Sequence, residues 1–114
     1  MGHAWGASPI YLLGKYYLGV KPVKEGYKEF SIAPALGGLK WMEGTVPTPN
    51  GDIQVYMDSK TIKVKATEGE GYLTIRSRRQ PKTTIGKMEK VSENTWRLWI
   101  DSPEERVISY FNSI

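Results

Sequence analysis

Residues 51–66 read GDIQVYMDSKTIKVKA, and this stretch has a period of two. Ile53, Val55 and Met57 alternate with Gln54, Tyr56 and Asp58; beyond Asp58-Ser59-Lys60, Ile62, Val64 and Ala66 alternate with Lys63 and Lys65. Successive side chains of a strand point to opposite faces, so each run has one apolar and one polar face, the pattern of a half-buried antiparallel strand. The same alternation recurs downstream in Leu73 and Ile75 around Thr74, and in Trp96, Leu98 and Ile100 around Arg97 and Trp99. Asn50-Gly51-Asp52, Glu68-Gly69-Glu70-Gly71 and Ser92-Glu93-Asn94 are turn signals between the runs. Pro34 to Gly38 reads as a loop and Arg106 to Phe111 as a last strand. Many short strands at short spacing predict a mainly β protein, an antiparallel β-sandwich. Its expected interior holds Ile53, Val55, Ile62, Val64, Leu73, Ile75, Leu98 and Val107, because a one-residue slip would turn each run's apolar set into water.

Upstream the period changes. Ser8-Pro9 is an N-cap followed by proline at the first helical position, and Ile10, Leu13, Tyr17 and Val20 recur at helical spacing. Gly19 suits a helix stop, with Lys21-Pro22 ending any continuation. The expectation is one N-terminal α-helix within residues 1–21 and a β-sandwich over residues 22–114. Between Tyr11 and Leu18 the only charge is Lys15, so this helix is apolar nearly all round and needs burial on most sides. Left uncovered, it is expected to find a partner, first of all a second copy in a homodimer.

Composition narrows the chemistry. A chain of 114 residues and 12.9 kDa is one domain's worth, too short for a catalytic barrel. Without cysteine there is no disulfide, zinc-thiolate site or thiol nucleophile, and the one histidine, His3, cannot supply a multi-histidine metal site. No cofactor or metal is expected. No apolar run reaches the roughly 20 residues of a membrane span, so no membrane contact is expected. Met1-Gly2-His3 has neither the charged nor the apolar region of a secretory leader, which leaves the compartment open. The net charge of +4 is mild, and its one cluster is Arg76, Arg78, Arg79, Lys82, Lys87 and Lys90. No aromatic lies inside that run to stack bases, so it reads as a solvated face and no nucleic acid is expected, a basic nucleic-acid-binding β domain being the second alternative.

The acids Asp52, Asp58, Glu68, Glu70, Glu93, Asp101, Glu104 and Glu105 sit at turns, and no pair suggests a general acid and base. Four tryptophans invite a sugar-stacking reading. Parity puts Trp96 and Trp99 on opposite faces of one strand, so Trp99 is a candidate exposed aromatic, as is Tyr56 opposite the Ile53/Val55/Met57 face. A loop or the first helix could equally cover them, so a stand-alone carbohydrate-binding module is the first alternative and any sugar binding is expected to be weak.

Three stretches carry a resemblance: His3-Ala4-Trp5-Gly6-Ala7-Ser8-Pro9-Ile10; Gly19-Val20-Lys21-Pro22, followed by Gly26-Tyr27-Lys28-Glu29-Phe30-Ser31-Ile32-Ala33-Pro34; and Gly37-Gly38-Leu39, Trp41, Gly44 and Thr48-Pro49-Asn50-Gly51. Together they resemble the C-terminal end of bacterial α-L-rhamnosidases and related glycoside hydrolases, over roughly residues 3 to 77; Met1-Gly2 departs from what precedes this histidine in the family. The resemblance implies that residues 1–21 are the last helix of an (α/α)6 catalytic barrel absent from this chain, followed by a C-terminal accessory β-sandwich. It also implies that the two carboxylates of an inverting hydrolysis lie upstream of this segment, so the chain alone is expected to be inactive. By the same resemblance His3 would line a sugar pocket, the catalytic barrel would be the partner, and a rhamnose-containing glycan would be reached through the parent enzyme.

Overall fold

The computed structural model describes residues 18–112. Ten strands follow in order: β1 (Val20–Pro22), β2 (Glu29–Ile32), β3 (Trp41–Thr48), β4 (Gly51–Asp58), β5 (Thr61–Ala66), β6 (Glu70–Arg76), β7 (Lys82–Thr83), β8 (Met88–Ser92), β9 (Thr95–Ile100) and β10 (Arg106–Ser109), with one 3-10 turn at Glu25–Tyr27. They form two five-stranded sheets, ordered β1-β2-β6-β9-β8 and β3-β4-β5-β10-β7. The apolar faces of both contribute to one core, which includes Phe30, Ile32, Val55, Ile62, Leu73, Leu98 and Ile108. This is the sandwich that the alternation predicts, and the 51–66 hairpin is its clearest part: Val55 faces Val64 and Met57 faces Ile62 across β4 and β5.

Three findings correct the sequence reading. First, one ladder is parallel: after β2 the chain crosses to build β3, β4 and β5, then returns beside β2 as β6, with Phe30 opposite Gly71 and Ile32 opposite Leu73. Second, no α-helix occurs among the described residues. The expected helix up to Tyr17, its dimer contact and His3 lie outside them. Val20 and Lys21, assigned above to the helical segment, belong instead to β1, paired with Ile32 and Ser31. Gly19 explains the change. Its φ of 67° breaks a right-handed continuation, and its carbonyl accepts from the Ala33 N–H at 3.0 Å, which places the chain against β2.

Third, β10 shows the opposite parity. Arg106 and Ile108 face inward, and Val107 stands half-buried on the outer face opposite Lys63. Hydropathy alone would send Arg106 outward. It is tolerated inside because its Nη1 donates to the carbonyls of Ser102 (2.8 Å) and Glu104 (2.7 Å), while Nη2 lies 3.5 Å from the exposed Asp101 carboxylate. The guanidinium thus ties off the turn before β10. The other seven expected interior residues are buried as predicted.

Candidate functional site

Trp99 and Tyr56, the two candidate sugar-stacking aromatics, lie on the outer faces of different sheets. No single platform can use both. Trp99 in β9 stands opposite Tyr72 in β6, their ring centroids 4.7 Å apart at 66°, an edge-to-face pair. The Arg97 guanidinium lies 4.2 Å from the centre of the Tyr72 ring and is itself paired with Glu89 across β8 and β9. Trp96 faces the other way and packs against the core, with Lys90 Nζ 5.6 Å from its ring centre. Around Trp99 the side chains are largely engaged with one another.

Tyr56 lies in a different setting. Across β3, β4 and β5 the register brings Glu43, Tyr56 and Lys63 into one row and Thr45, Gln54 and Lys65 into the next. Five of these, with Glu105, border a groove of about 270 Å³. The Tyr56 hydroxyl donates to Asp58 Oδ2 at 2.8 Å, and Lys63 Nζ lies over its ring, 5.3 Å from the centre. That hydrogen bond, then partial burial and the charges of Asp58 and Glu43, hold the Tyr56 phenol above its usual range. Partial burial pushes the Asp58 carboxyl up. The Lys60 N–H, the Tyr56 hydroxyl, the Thr61 N–H and the Lys63 charge together outweigh it and hold the carboxyl below its ordinary value. Thr45 is buried, and its Oγ1 has no hydrogen-bond partner among the described residues. Sequence parity shows Tyr56, Lys63 and Lys65 facing outward. Parity puts Gln54 there too; bringing Glu43 and Glu105 beside them depends on strand register and a distant turn, which the sequence leaves open.

A larger hollow of about 710 Å³ opens at one end of the sandwich, between the turn around Ser59 and Lys60 and the segment Ser109 to Phe111. Tyr110 is buried there and donates to the Asp58 carbonyl at 2.5 Å; burial first, then the nearby Asp58 charge, pushes its phenol up to about 12. The basic run reaches this end as well. Arg78 Nε donates to the Asn112 carbonyl at 2.8 Å and Arg79 lies over the Phe111 ring at 5.6 Å, so part of the run is bound to its own chain. The sequence reading treats Tyr110 and Phe111 as strand and misses the hollow, which depends on contacts between distant turns.

Most of the acids read as turn residues are exposed, but Asp52 and Asp58 belong to β4 and Glu70 to β6; Asp58 is half-buried with the partners just described. Among the described residues no group of three or more His, Cys, Asp or Glu could hold a metal ion. No described helix is long and apolar enough to cross a membrane.

The residues that carry the family resemblance have structural duties. Gly19 turns the chain into β1; Phe30 and Ile32 fill the core. Gly26, at φ 71°, opens a turn whose carbonyl accepts from Asn50 Nδ2 at 2.6 Å, while Thr48 Oγ1 donates to the Gly51 carbonyl at 2.6 Å. The connector before β2 and the turn between β3 and β4 are thus joined to each other. Comparison with known proteins agrees. The family model "Bacterial alpha-L-rhamnosidase C-terminal domain" matches residues 19–67, from the Gly19 turn to the end of β5. The fold is similar to part of the Streptomyces avermitilis α-L-rhamnosidase solved in complex with L-rhamnose, with a TM-score of 0.71 and 14% identity over 85% of this chain and 10% of that one. The chain therefore spans about a tenth of that enzyme's length. No curated protein matches the sequence. Over residues 19–67 the chain is thus similar in sequence to the C-terminal domain of bacterial α-L-rhamnosidases, and its sandwich shares the fold of the matched part of that enzyme.

Proposed function

We propose that this domain is a structural buttress of an α-L-rhamnosidase-like glycoside hydrolase, inactive by itself, with the hydrolysing carboxylates on a separate catalytic barrel. The observation that carries this reading is the use made of the residues that carry the resemblance: Gly19, Gly26, Phe30, Ile32, Thr48 and Asn50 form turns, a joined connector and core. Inverting hydrolysis needs two carboxylates roughly 6.5–9.5 Å apart across a sugar. Asp52, Glu68, Glu70, Glu93, Asp101, Glu104 and Glu105 are exposed, and Asp58 is committed to Tyr56 and to the backbone of its own turn. In this proposal residues 1–21 include the last barrel helix, His3 lines the sugar pocket of the whole enzyme, and a rhamnose-containing glycan is that enzyme's substrate.

Hydrolysis of p-nitrophenyl α-L-rhamnoside by the purified chain tests the reading. The expected rate is that of buffer alone. Turnover that disappears when one Asp or Glu of this chain is replaced would overturn it.

A further inference from the structure

We propose that the groove on the outer face of β3, β4 and β5 binds a neutral sugar ring, giving the domain a glycan contact of its own. The occupant follows from the chemistry of the walls. Glu43 and Glu105 are balanced by Lys63 and Lys65, so a charged ligand gains no net attraction there. A neutral ligand bearing many hydroxyls can donate to the carboxylates and accept from the ammonium groups and from the Gln54 amide at once. Tyr56 supplies a flat apolar surface for the C–H face of the ring, and its hydroxyl is held by Asp58. Lys63, which lies over that ring in the free protein, moves to a sugar hydroxyl on binding.

A further observation favours a sugar over a peptide strand. β4 is paired on both sides, with β3 and β5, so the floor of the groove offers side chains rather than an open ladder, the free ladder of this side lying on the outer edge of β3. The volume of about 270 Å³ suits one ring with part of its neighbour.

The groove is independent of the buttress reading; only the choice of L-rhamnose as first probe rests on it. The test is an NMR titration of the full chain with L-rhamnose, D-galactose and D-glucose, each to about 50 mM. Saturable shifts of the Gln54, Tyr56 and Lys65 amides with any of the three support the proposal. Tyr56→Ala is expected to weaken that binding about tenfold, and Tyr56→Phe, which keeps the ring, to retain most of it. Gln54→Ala gives a second reduced variant should Tyr56→Ala unfold, and unchanged core amide shifts report the fold. Absence of saturable shifts with all three sugars, shifts centred on Trp99 and Tyr72, or undiminished binding in a folded Tyr56→Ala or Gln54→Ala variant would overturn it. Binding in the groove together with a failed buttress reading would mark the domain as a glycan-binding unit in its own right.

Discussion

Replacing Gly71 by alanine tests the parallel ladder, the part of the fold least evident from the sequence. Gly71 lies in β6 between Phe30 of β2 and Ile100 of β9. A Cβ added there would fall 1.9 Å from the Phe30 carbonyl oxygen, 2.6 Å from its Cδ1 and 2.7 Å from its carbonyl carbon. Real Cβ contacts below 3.0 Å are essentially unknown, and the nearest atom is a backbone oxygen, so β2 must withdraw by more than an ångström. That movement unseats Phe30 and Ile32, both fully buried, each worth about 1.5–3 kcal/mol when inside, and strains ladder bonds worth about 1 kcal/mol each. The expected loss is about 3–5 kcal/mol, near the upper end for point substitutions. A domain of this length has roughly 6–17 kcal/mol to lose, so the variant still folds but melts about 15 °C lower or more. Gly26→Ala is the matched control. It meets nothing within 4 Å but sits at φ 71°, so its cost is conformational only, about 1–2 kcal/mol. Urea unfolding followed by tryptophan fluorescence measures both, since Trp96 packs against the core. If Gly71→Ala costs no more than Gly26→Ala, β2 is not seated against β6 and the crossover connection is wrong.

Arg106→Ala removes a buried side chain and its carbonyl contacts and should cost about 3 kcal/mol, whereas Arg106→Met refills the volume and should cost about half as much; equal losses by chemical unfolding would show that the hydrogen bonds to Ser102 and Glu104 dominate over packing. Asp58 has a lowered folded pKa, so its contribution is complete above its unfolded value and fades as pH falls through the folded one. The stability gap between wild type and Asp58→Asn should therefore close on acidification below about pH 4, and a gap that persists unchanged to pH 2 would contradict the assigned contacts. Tyr110 has the opposite sign: a folded pKa raised to about 12 means stability is intact below the unfolded value near 10 and declines as pH rises towards 12. Tyr110→Phe should lose about 1 kcal/mol at neutral pH with its bond to the Asp58 carbonyl and should flatten that alkaline decline.

How far the fold can be read from the sequence depends on whether a segment's two faces differ in polarity. In β4 and β5 they differ at every position, and both strands and their facing residues follow from the alternation. In β10 the choice lies between Arg106 with Ile108 and Val107 with Ser109. Hydropathy favours Val107, and only the carbonyls of the preceding turn make the arginine acceptable inside. The β2–β6 pairing is not local at all. Glycine at residue 71 reads as turn punctuation in Glu68-Gly69-Glu70-Gly71, while in the fold its lack of a side chain lets two parallel strands close.

The same distinction governs the candidate site. Parity alone exposes Tyr56 and Trp99, and both are indeed on outer faces. What separates them is company, and company is set by register. Trp99 lies beside Tyr72, which is covered by an arginine that is itself paired, so its surroundings are largely satisfied within the domain. Tyr56 stands between an acid and a base in a groove whose charges balance and beside a buried hydroxyl without a partner. The family-matched turns explain how the sandwich is held together; the Tyr56 row is what they leave unexplained, and it is there that a second role for the domain has to be sought.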